Sequence, residues 1–415
     1  MIRTWLDVVA AAACALAGGS AAAQTPGDAP TRVTIDQAVA LALAHNHALA
    51  ATRTTVDQAR ADEVTAGLRP NPALSADWQV LPWSTSSLTG DVGLSYTLER
   101  GGKRDRRIDA ARDATAVTRS QAADAERTLG FQVGSQFIAA QLAESTLELA
   151  RDNLHSFEQA IEVSEHRFQS GGLSENDYLK VKLQLLQFQT DVEQAQLARI
   201  QALSDLRQLV GRDALSADYD VAGAFDYRPT GAKLADLHQL ASHGRADLRA
   251  ANQAVAAATS QHALADANAS QDVTLSVGYA RSDGDGAATV GLAIPLAIFD
   301  RNQGERTKTR VAVTQAEQQR AELTGQVMTD VDDAFEALQR SARVVEYYRS
   351  GYLDISRRSR EISEYAYRRG ALNLFDFLDA ERTYRTTQLG YRQALADYLV
   401  AVEQLRQAVG SRALP

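Results

Sequence analysis

The chain has 415 residues, a formal charge of −9, one cysteine and eight prolines. An acidic chain of mixed charge gives no support to nucleic-acid binding, and a single thiol excludes an internal disulfide. The prolines stand at 26, 30, 70, 72, 82, 229, 295 and 415, so 83–228 and 296–414 are free to form long helices.

Arg3, a largely apolar run from Val8 to Ala17 and the small residues Gly18 to Ala23 form an export signal, with cleavage expected before Gln24. Cys14 lies inside it, and lipidation there would need an unusually short signal. After residue 23 no apolar run is long enough for a membrane-spanning helix, so a membrane role has to come from strands.

From Thr34, an N-cap residue, a helical pattern runs to Leu68 and stops at Arg69-Pro70-Asn71-Pro72. Over 73–98 two runs alternate apolar and small polar residues: Leu74, Ala76, Trp78 and Val80, then Val92, Leu94, Tyr96 and Leu98. They read as a hairpin. After a second helix at about 234–268, the stretch 272–296 repeats it with Val273, Leu275, Val277 and Tyr279, then Val290, Leu292, Ile294 and Leu296. Strands of about 9–11 residues suit a tilted crossing of a bilayer, or a soluble sheet packed on a helix. Four strands cannot close a barrel, and open edges in lipid leave backbone groups unpaired. If they span a membrane, the barrel is shared, and three copies would supply about twelve strands.

Long helices are expected over 103–169 and 303–369, returning over 174–211 and 373–410, with apolar residues at steps of three and four. The segment 212–233, with Pro229, links the halves and is expected to be partly irregular. The halves are copies. Shifted by 199 positions, 171–211 matches 370–410 at 13 of 41 positions, including Gly171 with Gly370, Leu173 with Leu372 and Asp177 with Asp376. The fold class is therefore mainly α with a small β part: a twofold repeat of long helical hairpins, each turning at a glycine.

Two copies of helix, strand, strand, helix, helix behind an export signal, with Gly turns followed by Asp and Leu, resemble the TolC family of outer-membrane channels over about 34–411. Leu98-Glu99-Arg100-Gly101-Gly102-Lys103-Arg104 and Ile294-Pro295-Leu296-Ala297-Ile298-Phe299-Asp300-Arg301-Asn302-Gln303-Gly304-Glu305 resemble patterns of the heavy-metal, CzcC-type branch. The resemblance implies a homotrimer with a shared β-barrel in outer-membrane lipid and an α-barrel in the periplasm. It also implies a periplasmic adaptor, an inner-membrane pump of RND type, no cofactor and no catalysis. Drug efflux or type I protein secretion are same-fold alternatives, and an exported coiled-coil scaffold is the alternative of another class.

The resemblance also assigns the turns. Asp376 and Asp379, with Asp177, match acids at the pore entrance, although Asp near a helix start also serves as a cap. Tyr367 and Asp177 match a latch, with Arg368 or Arg369 replacing an arginine that this chain lacks at Leu372. Gly171, Gly172, Leu173, Ser174, Gly370, Ala371 and Leu372 match the adaptor contact. The histidines His45, His47, His155, His166, His238, His243 and His262 show no recognised ligand spacing, so no specific metal site is expected.

Overall fold

The computed structural model describes residues 31–80, 88–282 and 285–413. The expected export signal, Cys14 and the loop 81–87 lie outside the described residues. The first half runs β1 (Thr31–Val33), α1 (Ile35–His45), α2 (His47–Ala66), β2 (Ala73–Val80), β3 (Leu88–Leu98), α3 (Lys103–Gln169) and α4 (Glu175–Val210). The linker holds β4 (Tyr219–Val221), which pairs in parallel with β1. The second half runs α5 (Leu234–Gly244), α6 (Ala246–Ala267), β5 (Val273–Ser282), β6 (Asp285–Ala293), α7 (Gln303–Tyr347), α8 (Leu353–Arg368) and α9 (Leu374–Val409).

Where one helix was expected over 34–68 and one over 234–268, there are two each. Asn46 leaves helical geometry at ψ 117°, caps Leu49 N at 2.9 Å and donates to the Leu209 carbonyl at 2.8 Å. Arg245 breaks the second helix at ψ 128° and donates to the Ala408 carbonyl at 3.2 Å. Asn46 and Arg245 are 199 positions apart, as are Leu209 and Ala408. The repeat therefore preserves a bond, from each bend to the end of its returning helix, although the donor has changed from an amide to a guanidinium.

The four long strands form one antiparallel sheet in the order β2-β3-β5-β6, so β2 and β6 are its open edges. The register aligns Leu74 with Leu94, Leu94 with Val277 and Val277 with Val290, which gathers the apolar residues on one face. That face is bare: Leu74 is 75% exposed, Val290 86% and Leu292 65%. Among the described residues no helix covers it, as the soluble-sheet alternative would require, and lipid is the solvent that suits it.

The two motifs beside the sheet are joints. Arg107 donates to Glu99 at 2.6 Å and to the Ala66 and Leu68 carbonyls at 2.8 Å, while Arg104 donates to the Gly67 carbonyl at 2.7 Å. Asn302, in left-handed geometry at φ 59°, donates to the Ala265 carbonyl at 2.7 Å. Each long helix thus holds the unpaired carbonyls at the end of the helix that precedes its hairpin.

Away from the sheet, α4 packs on α3, α3 on α9 and α9 on α8. This order leaves α4 and α8 at the two flanks. Whereas α3 is continuous for 67 residues, its counterpart, expected as one helix over 303–369, is broken. Between α7 and α8 the turn Tyr348–Tyr352 widens, and Gly351 takes φ 126°, a backbone conformation that glycine alone adopts freely. The sequence kept its three-and-four spacing through this break, so the interruption was hidden.

Candidate functional site at the hairpin tips

Both tips end in the same hydrogen-bonded turn. Gly172 N donates to the Arg167 carbonyl at 2.7 Å, and Ala371 N to the Ala366 carbonyl at 2.9 Å, with Gly171 at φ 74° and Gly370 at φ 75°. These bonds satisfy carbonyls that each incoming helix leaves free, and the positive φ explains the paired glycines.

The outgoing helices start alike. Ser174 Oγ accepts from Asp177 N at 3.1 Å and donates to the Asp177 carboxylate at 2.8 Å. Asn373 does the same for Asp376, accepting from its backbone N–H at 2.9 Å and donating to its carboxylate at 2.8 Å. Asp177 and Asp376 thus reinforce N-caps, where negative charge also suits the helix dipole. Asp379 pairs with Arg382 at 2.7 Å, and Lys180 lies 3.5 Å from Asp177. Asp376 and Asp379 are exposed.

Tyr367 is 1% exposed and its hydroxyl shares a 2.8 Å hydrogen bond with Ser164 Oγ. It is not bonded to Asp177 within the protomer, whose carboxylate is held by Ser174 and Lys180. Arg368 pairs with Glu364, and Arg369 lies over the Tyr365 ring at 5.4 Å. Leu173 and Leu372 are half-buried, and Leu372 leans on the apolar cluster of the tip. Phe375, which sequence reasoning passed over, is 78% exposed one turn from Gly370. Its signal was an aromatic residue outside the three-and-four seam.

Inside the tips runs a column of rings drawn from all four helices. Phe188 of α4 stacks on Phe157 of α3 with centroids 4.5 Å apart, Phe157 on Phe377 of α9 at 6.5 Å, and Phe377 on Tyr367 of α8 at 4.7 Å. Both ends are capped by cations, Arg385 over Phe188 at 5.3 Å and Arg167 over Tyr367 at 5.0 Å. Arg385 also pairs with Asp191 at 2.7 Å, and Arg167 donates to the Tyr367 carbonyl at 3.0 Å. Each ring contact adds about 0.5–1.5 kcal/mol to what burial already contributes, and each cation about 0.5–2 kcal/mol. The column joins the two hairpins.

Beside it, Arg360 of α8 donates to Glu381 of α9 at 2.8 Å, with Glu381 6% exposed. Burial pushes the Glu381 carboxyl above its usual range, and the Arg360 charge offsets part of that rise. A cleft of about 280 Å³ between α4 and α9 is lined by Asp379, Glu381, Arg382 and Arg385 with Gln184 and Phe188. No group of three metal-ligating side chains occurs among the described residues.

The family model "Outer membrane efflux protein" matches 38–212 and again 237–411, two segments offset by the same 199 positions. The chain is 24% identical to the cobalt-zinc-cadmium resistance protein CzcC of Cupriavidus metallidurans, over 93% of this chain and 92% of that one. Among solved structures it superposes on CusC with a TM-score of 0.75 at 19% identity, covering 94% of this chain and 96% of that one. For the open state of the Neisseria gonorrhoeae MtrE channel the TM-score is 0.75 at 18% identity, with 91% and 89% covered. Members of the family are non-enzymatic homotrimeric ducts that work with a periplasmic adaptor and an inner-membrane pump. The chain belongs to the outer membrane efflux protein family, as an efflux channel of the outer membrane that extends into the periplasm.

Proposed function

We propose that this channel is the exit duct for heavy-metal cations, assembled as a homotrimer and fed by a pump of RND type through an adaptor. The observation that carries the reading is the near-complete alignment with the cobalt-zinc-cadmium resistance protein CzcC. The tips supply a matching chemistry. Asp376 and Asp379 are exposed at the start of α9, and three copies set around an axis would bring six carboxylates to a narrow mouth. Such a ring concentrates cations and repels anions.

In this reading Gly171, Gly172, Leu173, Ser174, Gly370, Ala371 and Leu372, joined by Phe375, meet the adaptor. The latch is divided. Tyr367 acts from inside the protomer, and Asp177 and Arg368 would exchange their partners within the copy, Lys180 and Glu364, for groups of a neighbouring copy. Selectivity among metals belongs to the pump, since the duct needs only to pass its cargo.

The test is the metal tolerance of a strain lacking this gene. The expected result is a lower tolerated concentration of cobalt, zinc or cadmium, restored by the gene in trans. Unchanged metal tolerance together with increased drug sensitivity would overturn the metal assignment in favour of drug efflux.

A further inference from the structure

On the bare face of the sheet the apolar row of β5 ends in a charge. Val273, Leu275, Val277 and Tyr279 lead to Arg281, and the register keeps Arg281 on the same face as Trp78 of β2. Arg281 stands roughly 26 Å along the strand from Val273, at about 3.3 Å per residue. With the usual tilt this is roughly 20 Å of depth, which puts it near the far border of an apolar band about 25 Å tall and not at its middle. The helices leave from the other end of the strands into the periplasm, so this border belongs to the outer leaflet.

The two strands beside Arg281 leave it room. Gly90 of β3 lies opposite it on one side and Gly286 of β6 on the other, so neither offers a side chain next to it. Rings lie over both glycines instead. A β-carbon on Gly90 would stand 2.5 Å from Cδ1 and 2.9 Å from Nε1 of Trp78, and one on Gly286 would overlap the Tyr279 hydroxyl. The indole N–H and the phenol O–H are thereby carried to the level of Arg281, one on each side of it. None of the three side chains has a hydrogen-bond or ion-pair partner among the described residues, and all three are exposed, Trp78 to 65% and Tyr279 to 56%. Asp285 is opposite Ser282 in the register and so belongs to the lumen face.

A guanidinium, an indole N–H and a phenol O–H together present several donors and one positive charge. Their complement is an anion rich in acceptors. At the headgroup level of a membrane that group is phosphate, which a guanidinium binds through two parallel hydrogen bonds. Rings with one polar edge settle at the same depth, apolar body in the chains and donor in the headgroups.

We infer that Trp78, Arg281 and Tyr279 form a binding site for the phosphate of the outer-leaflet glycolipid, on the outside of each copy. The leaflet decides the source, because its phosphate is carried mainly by phosphorylated glycolipid. The site faces away from the duct and is independent of the cargo that passes through it.

The experiment places the assembled channel in phosphatidylcholine nanodiscs doped with bisphosphorylated lipid A and counts the lipid retained by the released trimer in native mass spectrometry. The parent should retain lipid A, and Arg281→Gln about tenfold less, as expected for loss of a charged hydrogen-bond donor. Arg281→Lys, which keeps the charge but not the planar fork, should fall between them. Trp78→Phe with Tyr279→Phe keeps both rings, removes both neutral donors and should lower retention about threefold. Trimers on a native gel with the parent's single-channel conductance verify that the variants are folded, since these side chains do not face the lumen. Should Arg281→Gln fail to assemble, the other two variants carry the comparison. A parent that retains no lipid A, or variants that retain as much as the parent, overturn the inference. Equal retention of lipid A stripped of its phosphates overturns it as well. Phosphatidylglycerol held as firmly as lipid A overturns the assignment to the glycolipid.

Discussion

Ser164 of α3 and Tyr367 of α8, residues of different hairpins 203 positions apart in sequence, share a buried hydrogen bond of 2.8 Å. Ser164 also donates within α3 to the Ala160 carbonyl at 2.8 Å, so its hydroxyl keeps a partner if Tyr367 loses its own. Tyr367→Phe should therefore weaken the tip by about 1 kcal/mol. Tyr367→Ala, which removes the ring from the column, should cost about 3–5 kcal/mol. Hydrogen exchange of α8 amides checks both: modestly faster in the first variant, and close to exposed-helix rates in the second.

Asp376→Asn with Asp379→Asn should reduce the preference of the channel for potassium over chloride by about threefold or more, read from the reversal potential across a salt gradient. The difference from the parent should shrink at about 1 M salt, where screening acts over about 3 Å. Equal reversal potentials at low salt would remove these acids from the conducting path.

Leu173→Glu and Phe375→Glu should leave trimers intact and abolish adaptor capture, because each places a charge where an apolar contact is proposed. Co-purification with the adaptor is the measurement, and undiminished capture would exclude the turns as the docking surface.

Arg245 and Asp247 set a pH dependence. Burial works to raise the Asp247 carboxyl, but the hydrogen bonds and charge of Arg245, with Arg127 nearby, outweigh it and hold the group below its ordinary value of 3.8. A carboxyl lowered in the folded state contributes stability that is complete above the unfolded value and is lost as pH falls through the folded one. Thermal stability of the parent should thus fall below about pH 4. Asp247→Asn should be less stable by about 2 kcal/mol at neutral pH, with a flatter acid limb in the same melting series.

Gly351→Ala tests the break in the second hairpin. A β-carbon there meets no atom within 4 Å, so the cost is backbone strain alone at φ 126°. A loss of about 1–3 kcal/mol is expected, measured by melting. An unchanged midpoint would mean that the helix straightens through 348–352 without cost.

The fold was legible where pattern is local and repeated. Leu74 to Trp78 and Val92 to Leu98 alternate, and the sheet gathers their apolar residues on one exposed face, while the shift of 199 positions that aligns Gly171 with Gly370 also aligns the bends at Asn46 and Arg245. What escaped depends on partners distant in sequence. Phe157, Phe188 and Phe377 sit at ordinary seam positions, and only the packing of α3, α4 and α9 shows that their rings stack. The pairing of β1 with β4 spans three residues on each side, too few for periodicity to register. Gly351 gave no warning, since a glycine within a long helix usually costs stability without ending it. The tip acids were singled out by the family resemblance, and the bonds of Asp177 to Ser174 and of Asp376 to Asn373 follow from cap geometry that spacing alone leaves open.

The free edges of β2 and β6 carry a consequence for biogenesis. In water, a single copy would present the exposed row from Leu74 to Leu292 to solvent; in lipid, its edge strands would hold backbone groups with nothing to bond, at several kcal/mol each. A solitary copy suits neither medium. Insertion and assembly therefore belong to one step, and the yield of channels should depend steeply on the concentration of newly exported chains rather than in proportion to it.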